Sequence, residues 1–127
     1  MGNVPKNLKY TNEHEWIRVD GEEIIFGITD YAQDALTEVV WVELPEVGVS
    51  ASAMESIASV ESVKSVSEIY APISGKVIQI NEQLEDSPEM INEDPYGDGW
   101  ICRMEISDKT DIEKLLSHDE YSSLIGR

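Results

Sequence analysis

The sequence predicts a mainly β fold: a flattened antiparallel barrel or sandwich with short helices at its edges. Three observations carry this. Short runs rich in β-branched and aromatic residues recur along the chain, and such residues favour a pleated, half-buried surface. Turn residues separate the runs, notably Asp20-Gly21, Pro45 with Gly48, and Pro72 with Gly75. Helical patterning is confined to residues 30–36 and to the C-terminal stretch. The 127 residues are expected to form one domain, 1–127, long enough for a proper core.

Residues 8–28 read as an N-terminal hairpin. Trp16, Ile17 and Val19 lead into Asp20-Gly21, the dipeptide favoured in a tight type I′ turn, and residues 23–28 return. Upstream, Thr11-Asn12-Glu13-His14-Glu15 reads as a polar turn. His14-Glu15 opens like a zinc-protease motif, but that motif needs a second His at position 18, where Arg18 stands. Residues 30–36 read as a short helix, with Asp30 as cap, Gln33 at capping-box spacing, and Ala32, Ala35 and Leu36 as its apolar face. Residues 39–44 read as a strand stopped by Pro45.

Residues 57–80 form the centre of the chain. They read as two strands with Lys64 at the tip between them, then a Gly-marked turn into a third strand. Val60, Val63, Val66, Ile69 and Tyr70 supply the strand-forming residues, and serines fill the gaps. Gly48 and Gly75 flank Lys64 in similar settings, a pattern of two related halves meeting at the lysine turn. Residues 81–99 read as a polar loop. A calcium loop fails there, because Tyr96 occupies a ligand position and Arg103 stands where the bidentate Glu belongs. The last strand, residues 100–106, places Trp100, Cys102, Met104 and Ile106 on one face. Thr110-x-x-Glu113 and Ser117-x-x-Glu120 read as capping boxes opening two short helices. Ile112, Leu115 and Leu116 form one apolar face, and Tyr121, Leu124 and Ile125 another.

Composition excludes several functions. A net charge of −17 repels nucleic acid and permits steering toward basic docking faces. The single cysteine, Cys102, excludes an internal disulfide and a Cys-based zinc site, and its place in the pattern is that of a small buried residue. No apolar run approaches the ~20 residues of a membrane span. The first residues lack a signal core and transit character, and Lys6 stands where N-myristoylation wants Ser or Thr. A cytoplasmic protein is the expectation.

Lys64 is the only basic residue between Arg18 and Lys76. An ammonium at a hairpin tip is accessible but a poor nucleophile at neutral pH. It becomes useful once another enzyme acylates it with a reactive group. Read alone, it is first of all a surface lysine at a strand turn, the commonplace case.

The surrounding residues decide between these. Glu61-Ser62-Val63-Lys64-Ser65, followed by Tyr70-Ala71-Pro72-Ile73-Ser74-Gly75-Lys76-Val77, resembles the lipoylation site of glycine cleavage system H proteins. The Ala-Pro-x-x-Gly-x-Val part is shared with lipoyl and biotinyl carriers generally, while Glu-Ser-Val-Lys is narrower. The resemblance runs nearly the whole chain, through His14-Glu15-Trp16, Gly27-Ile28-Thr29-Asp30, Val42-Glu43-Leu44-Pro45, Asn92-Glu93-Asp94-Pro95-Tyr96-Gly97 and Gly99-Trp100. Thr37-Glu38 departs from the family by replacing a common Gly-Asp pair, and residues 51–56 lack a glycine often found there.

This resemblance implies a barrel-sandwich hybrid of lipoyl/biotinyl type with an N-terminal hairpin and C-terminal helices. It implies a carrier rather than an enzyme, with lipoate amide-linked to Lys64 by a lipoate ligase or lipoyl transferase. The implied partners are a glycine decarboxylase that loads an aminomethyl group, an aminomethyltransferase that passes it to tetrahydrofolate, and a dihydrolipoamide dehydrogenase that reoxidises the dithiol. Members of the family are thought to fold the loaded arm into a cleft, and Glu13, Glu15 and Glu68 match the positions lining it. Carboxylates there would give an ammonium charge-assisted hydrogen bonds. The same lysine motif would serve a lipoate relay to 2-oxoacid dehydrogenase subunits, the alternative function. A monomer is the expectation for either.

Overall fold

The computed structural model describes residues 4–126. The reading of Met1, Gly2 and Asn3 as lacking a leader or acylation signal, and the last residue of the 1–127 domain, lie outside the described residues. Strands β2 (Glu15–Asp20) and β3 (Glu23–Ile28) form the expected hairpin. Its turn differs in detail. Asp20 pairs with Glu23, so Gly21 and Glu22 are the loop residues. Gly21 has φ 64°, while Glu22 keeps a negative φ. Glycine at positive φ in the first central position is the type II′ arrangement rather than I′.

Among the described residues, nine strands lie in two antiparallel sheets. The first runs β1 (Lys9–Tyr10), β2, β3, β9 (Cys102–Ile106), β8 (Gly75–Ile80) and β5 (Ser50–Ala51). The second runs β4 (Val39–Glu43), β6 (Ser56–Ser62) and β7 (Val66–Tyr70). Neither sheet closes on itself. Ile17, Phe26 and Met104 from the first meet Val42, Val60 and Ile69 from the second in one buried cluster, which gives the flattened barrel-sandwich. Ser50 pairs with Lys76, so the segments after Gly48 and Gly75 lie side by side. At Gly75 the packing demands glycine, since a Cβ would stand 2.1 Å from the Glu105 carbonyl oxygen.

Helix α1 (Asp30–Leu36) forms, but its cap is Thr29 rather than Asp30. Thr29 has the extended backbone a cap needs, and its Oγ1 accepts from the Ala32 N–H at 3.2 Å. Asp30 instead accepts from the Gln33 side chain at 2.9 Å. Ala35 is exposed, which leaves Leu36 buried and Ala32 partly so.

The stretch 81–99 is not only loop. It holds two single-turn helices, α2 (Gln83–Asp86) and α3 (Met90–Glu93), whose Leu84 and Ile91 are fully buried. One turn is too short to display helical periodicity. Asn92 of α3 ties this region to α1 and β4. Its Oδ1 accepts from the Val39 N–H at 2.9 Å, and its Nδ2 donates to the Thr37 carbonyl at 2.6 Å and to Gln33 Oε1 at 2.9 Å.

At the C-terminus, α4 (Thr110–Glu113) and α5 (His118–Ile125) form. The Ser117–Glu120 capping box closes in both directions, at 3.2 and 2.9 Å. The Thr110 box does not. Asp108 Oδ1 accepts from the Thr110 N–H at 3.0 Å and hydroxyl at 2.6 Å, and so takes the role assigned to Thr110. Tyr121 is fully buried against Tyr10, with ring centroids 4.6 Å apart, while Leu124 stays outside the core. Among the described residues no helix is long and apolar enough to cross a membrane.

Both departures from the family's glycines carry a side chain at positive φ: Thr37 at 67° and Met54 at 69°. Thr37 pairs that φ with ψ −142°, a region that side chains strongly disfavour. Thr37→Gly is therefore expected to stabilise the protein by roughly 1 kcal/mol, the strain relieved less the flexibility glycine adds to the unfolded chain. That is a rise of about 4 °C in Tm by differential scanning calorimetry. An unchanged or lower Tm would show that Thr37 is relaxed.

Candidate functional site

Lys64 is exposed at the tip between β6 and β7. Its backbone is held from beneath by Ser62, which is buried. Ser62 Oγ accepts from the Lys64 N–H at 3.3 Å and the Ser65 N–H at 3.1 Å, and donates to the Ser65 carbonyl at 3.2 Å. The Ser62 N–H donates to the same carbonyl at 2.8 Å. On the other side, the Val63 N–H donates to the Glu38 carbonyl at 3.2 Å, which fastens the tip to the start of β4. The lysine side chain is free to swing while its base is fixed.

A cleft of about 330 Å³ opens beside the tip, with Ser65 in its wall. It is bounded by the 13–15 loop, α1 and the inner face of β6–β7. Glu13, Glu15 and Glu68, named from the sequence, all border it. Their positions differ. Glu13 is exposed. Glu68 also borders a shallow hollow on the opposite side of the sheet, where its carboxylate accepts from the Ser56 hydroxyl. Strand alternation turns Ser67, paired with buried Val60, toward the cleft instead.

Glu15 is the buried one, only 1% exposed. Oε1 accepts from the Thr11 hydroxyl at 2.6 Å and Oε2 from the Tyr70 N–H at 3.0 Å. Burial pushes its carboxyl up to about 7. The two hydrogen bonds oppose that rise, and the Glu13 charge adds to it.

The loop carrying Glu13 and Glu15 is braced by residues that sequence reasoning passed over. His14 sits at φ 70°. Its Nδ1 lies 2.8 Å from the Tyr121 hydroxyl, which is also 2.8 Å from Thr29 Oγ1. Its ring lies 4.8 Å from that of Tyr31, and its carbonyl accepts from the Thr29 N–H at 3.0 Å. Burial holds the His14 imidazole below its ordinary range. Tyr121 thus carries the C-terminal helix into the support of the cleft. Its only sequence signal was a buried aromatic position. Thr11 gave none beyond its polarity, and Ser62 stood out only as a member of the Glu-Ser-Val-Lys run, with no sign of its role beneath the tip.

The Glu15 carboxyl imposes a pH dependence. Its folded value lies above that of the unfolded chain, so the native state binds the extra proton. Stability is full below about 4.5 and falls as pH rises to about 7. The loss is roughly 3 kcal/mol at most. His14, shifted downward, acts in the opposite direction and is common to wild type and variant. Chemical unfolding at pH 5 and pH 8 is expected to show Glu15→Gln losing markedly less stability than wild type over that interval. Equal losses would mean the carboxyl is solvated.

The family model for the glycine cleavage H-protein matches residues 8–127. The H protein of Halalkalibacterium halodurans is 53% identical over 126 residues, 99% of this chain and 98% of the relative. That of Carboxydothermus hydrogenoformans is 52% identical over 125 residues, 98% and 96% of the two chains. The crystal structure of the Mycobacterium marinum H protein superposes with a TM-score of 0.86 at 38% identity, covering 98% of this chain and 100% of that one. With the fold, the lysine tip and full-length similarity all agreeing, the chain belongs to the glycine cleavage H-protein family.

Proposed function

We propose that this chain carries lipoate in amide linkage on Lys64 and serves as the aminomethyl and electron shuttle of glycine cleavage. The family's role is lipoyl carriage in that system. The observation supporting this chain's part is an exposed lysine on a fixed tip at the mouth of a cleft edged by carboxylates. Bound lipoate would supply a dithiolane that takes up the one-carbon cargo together with two electrons and, once the cargo has left, gives those electrons up.

The chain's own residues supply reach, shelter and charge. Ser62 fixes the origin from which the arm swings. Glu15 offers a buried carboxylate to the ammonium of the cargo, and such a group gains from receiving a cation where water is scarce. Glu13 adds charge at the rim, and Glu68 contributes from the edge. The cleft walls, with Ile28, Leu36 and Val60, exclude water from the stored group. Catalysis stays with the partners: glycine decarboxylase, aminomethyltransferase, dihydrolipoamide dehydrogenase, and the ligase or transferase that attaches lipoate. The unit acts as a single-domain monomer that meets each partner transiently, in the cytoplasm. A relay that only passed lipoate to 2-oxoacid dehydrogenase subunits would have no use for a carboxylate-edged cleft.

Incubation with a lipoate ligase, lipoate and ATP is expected to add one lipoyl mass increment to wild type and none to Lys64→Arg, read by intact-mass spectrometry. Ser62→Ala should be modified several-fold more slowly, since its tip is no longer preorganised. No increment in the folded wild type would overturn the carrier reading. At pH 8, where the Glu15 carboxyl is ionised, Glu15→Gln is expected to shorten the half-life of the glycine-loaded form several-fold. An unchanged half-life would remove Glu15 from that role.

A further inference from the structure

The outer face of the three-stranded sheet carries an apolar patch beside the lysine. Val39 and Val42 of β4 are buried, each 2% exposed, yet the two residues between them, Val40 and Trp41, are both exposed, at 42% and 54%. A regular strand alternates and would turn only one of them outward. The register with β6 slips between Val39 and Trp41, and this bulge puts two successive side chains on the outside. Trp41 then stands opposite Glu61, and Glu61 opposite Val66, so the three form one row across the sheet. Val66 is 61% exposed and Val63, next to the lysine, 66%.

Four exposed apolar side chains thus flank one end of the β6–β7 hairpin. An exposed tryptophan beside valines is the composition of an interface centre rather than of ordinary surface. The surround is acidic. Glu38, Glu43, Glu61 and Glu68 are exposed, and Lys64 is the only cation between Arg18 and Lys76.

We propose that the Trp41–Val40–Val63–Val66 patch is the docking surface for the enzyme that forms the amide bond on Lys64. This rests on the carrier reading above. The partner it fits has an apolar hollow rimmed by Lys and Arg at the entrance to an acyl-adenylate site. Reach selects this partner from the others. In amide formation the Lys64 Nζ attacks the acyl carbon of lipoyl-adenylate, made from lipoate and ATP with release of pyrophosphate. The C–N bond forms as the acyl–phosphate bond breaks, AMP leaves and the nitrogen loses a proton. Those atoms must come within one lysine side chain of the β6–β7 turn, so the enzyme covers that turn, and Val63 and Val66 of the patch lie on either side of Lys64 there. Enzymes that use the far end of the attached arm can act without covering it.

The test measures the rate of mass increase with a lipoate ligase, lipoate and ATP, over a range of carrier concentrations. It is paired with calorimetric titration of the unmodified carrier into the ligase. Trp41→Ser and Val66→Ser are expected to lower kcat/KM by about tenfold and weaken binding to match, with kcat nearly unchanged. Val19→Ser and Leu124→Ser, exposed apolar residues elsewhere, should behave as wild type. Once loaded to completion, the Trp41 variant should still be reduced normally by dihydrolipoamide dehydrogenase. Modification and binding at wild-type rates in both patch variants would overturn the proposal while leaving the carrier reading intact. An equal loss in the reductase assay would also overturn it, by giving the patch to partners in general. A wild type that gains no lipoyl mass would instead overturn the carrier reading itself.

Discussion

A carboxyl group taken out of water fastens the two sheets together where the cleft opens. Glu15 begins β2 of the larger sheet, and its Oε2 accepts from the backbone of Tyr70, which ends β7 of the smaller one. Burying a charge that no cation neutralises is expensive. None of the ion pairs among the described residues involves Glu15. Two hydrogen bonds and access to the protonated form make the position tolerable. A lysine or arginine partner would stabilise it further, but it would fill the cleft side of the carboxyl, the place the proposed ammonium-bearing cargo would take. The seam between the sheets is thus weaker than it could be, and the weakness faces the cleft.

The bracing around Glu15 follows from that. A loop that presents a buried carboxyl must not relax toward solvent. Thr11 accepts from the Glu13 and Glu15 N–H groups and donates to the Glu15 carboxylate. His14 takes a positive φ and is locked from the far side by Tyr121. Tyr121 in turn is set by its stack on Tyr10 and by a helix that begins with a closed capping box. The Leu116 N–H and the Tyr10 N–H each donate to the other residue's carbonyl, which draws the C-terminal segment onto β1. The C-terminal helix therefore belongs to the site's support, though none of its residues borders the cleft.

Legibility in the sequence divides along physical lines. The β class, the N-terminal hairpin and the Lys64 tip were readable because alternation and turn residues are local signals. Ser117 declared its helix because a capping box is complete within four residues. The positions that failed depend on distant backbone. Whether Thr29 or Asp30 caps α1 is decided by which residue has extended φ and ψ, and residues 83–93 make only single turns that leave no period. The bulge that exposes Trp41 cannot be seen in Val39-Val40-Trp41-Val42, because it is a property of pairing with β6. In the cleft, the resemblance supplied the three carboxylates. It did not reveal that one is buried and hydrogen-bonded, one exposed, and one shared with the other side of the sheet.

Charge and shape divide the work of recognition. A surface of net charge −17 hastens encounter with any basic face, but a field that extends over a Debye length cannot distinguish one basic partner from another. Discrimination needs short-range contacts, and a shuttle that meets several partners has little room for them. The β6–β7 tip offers that room. Its backbone is rigid through Ser62, so side chains near it keep a fixed relation to Lys64. On the carrier reading, a partner that must reach the lysine nitrogen would read those side chains, while partners working at the end of an attached arm would be selected by the acidic surface and the cargo. Grouping apolar contacts beside the tip would keep the other encounters weak enough to exchange quickly, because affinity is tuned mainly through the rate of release.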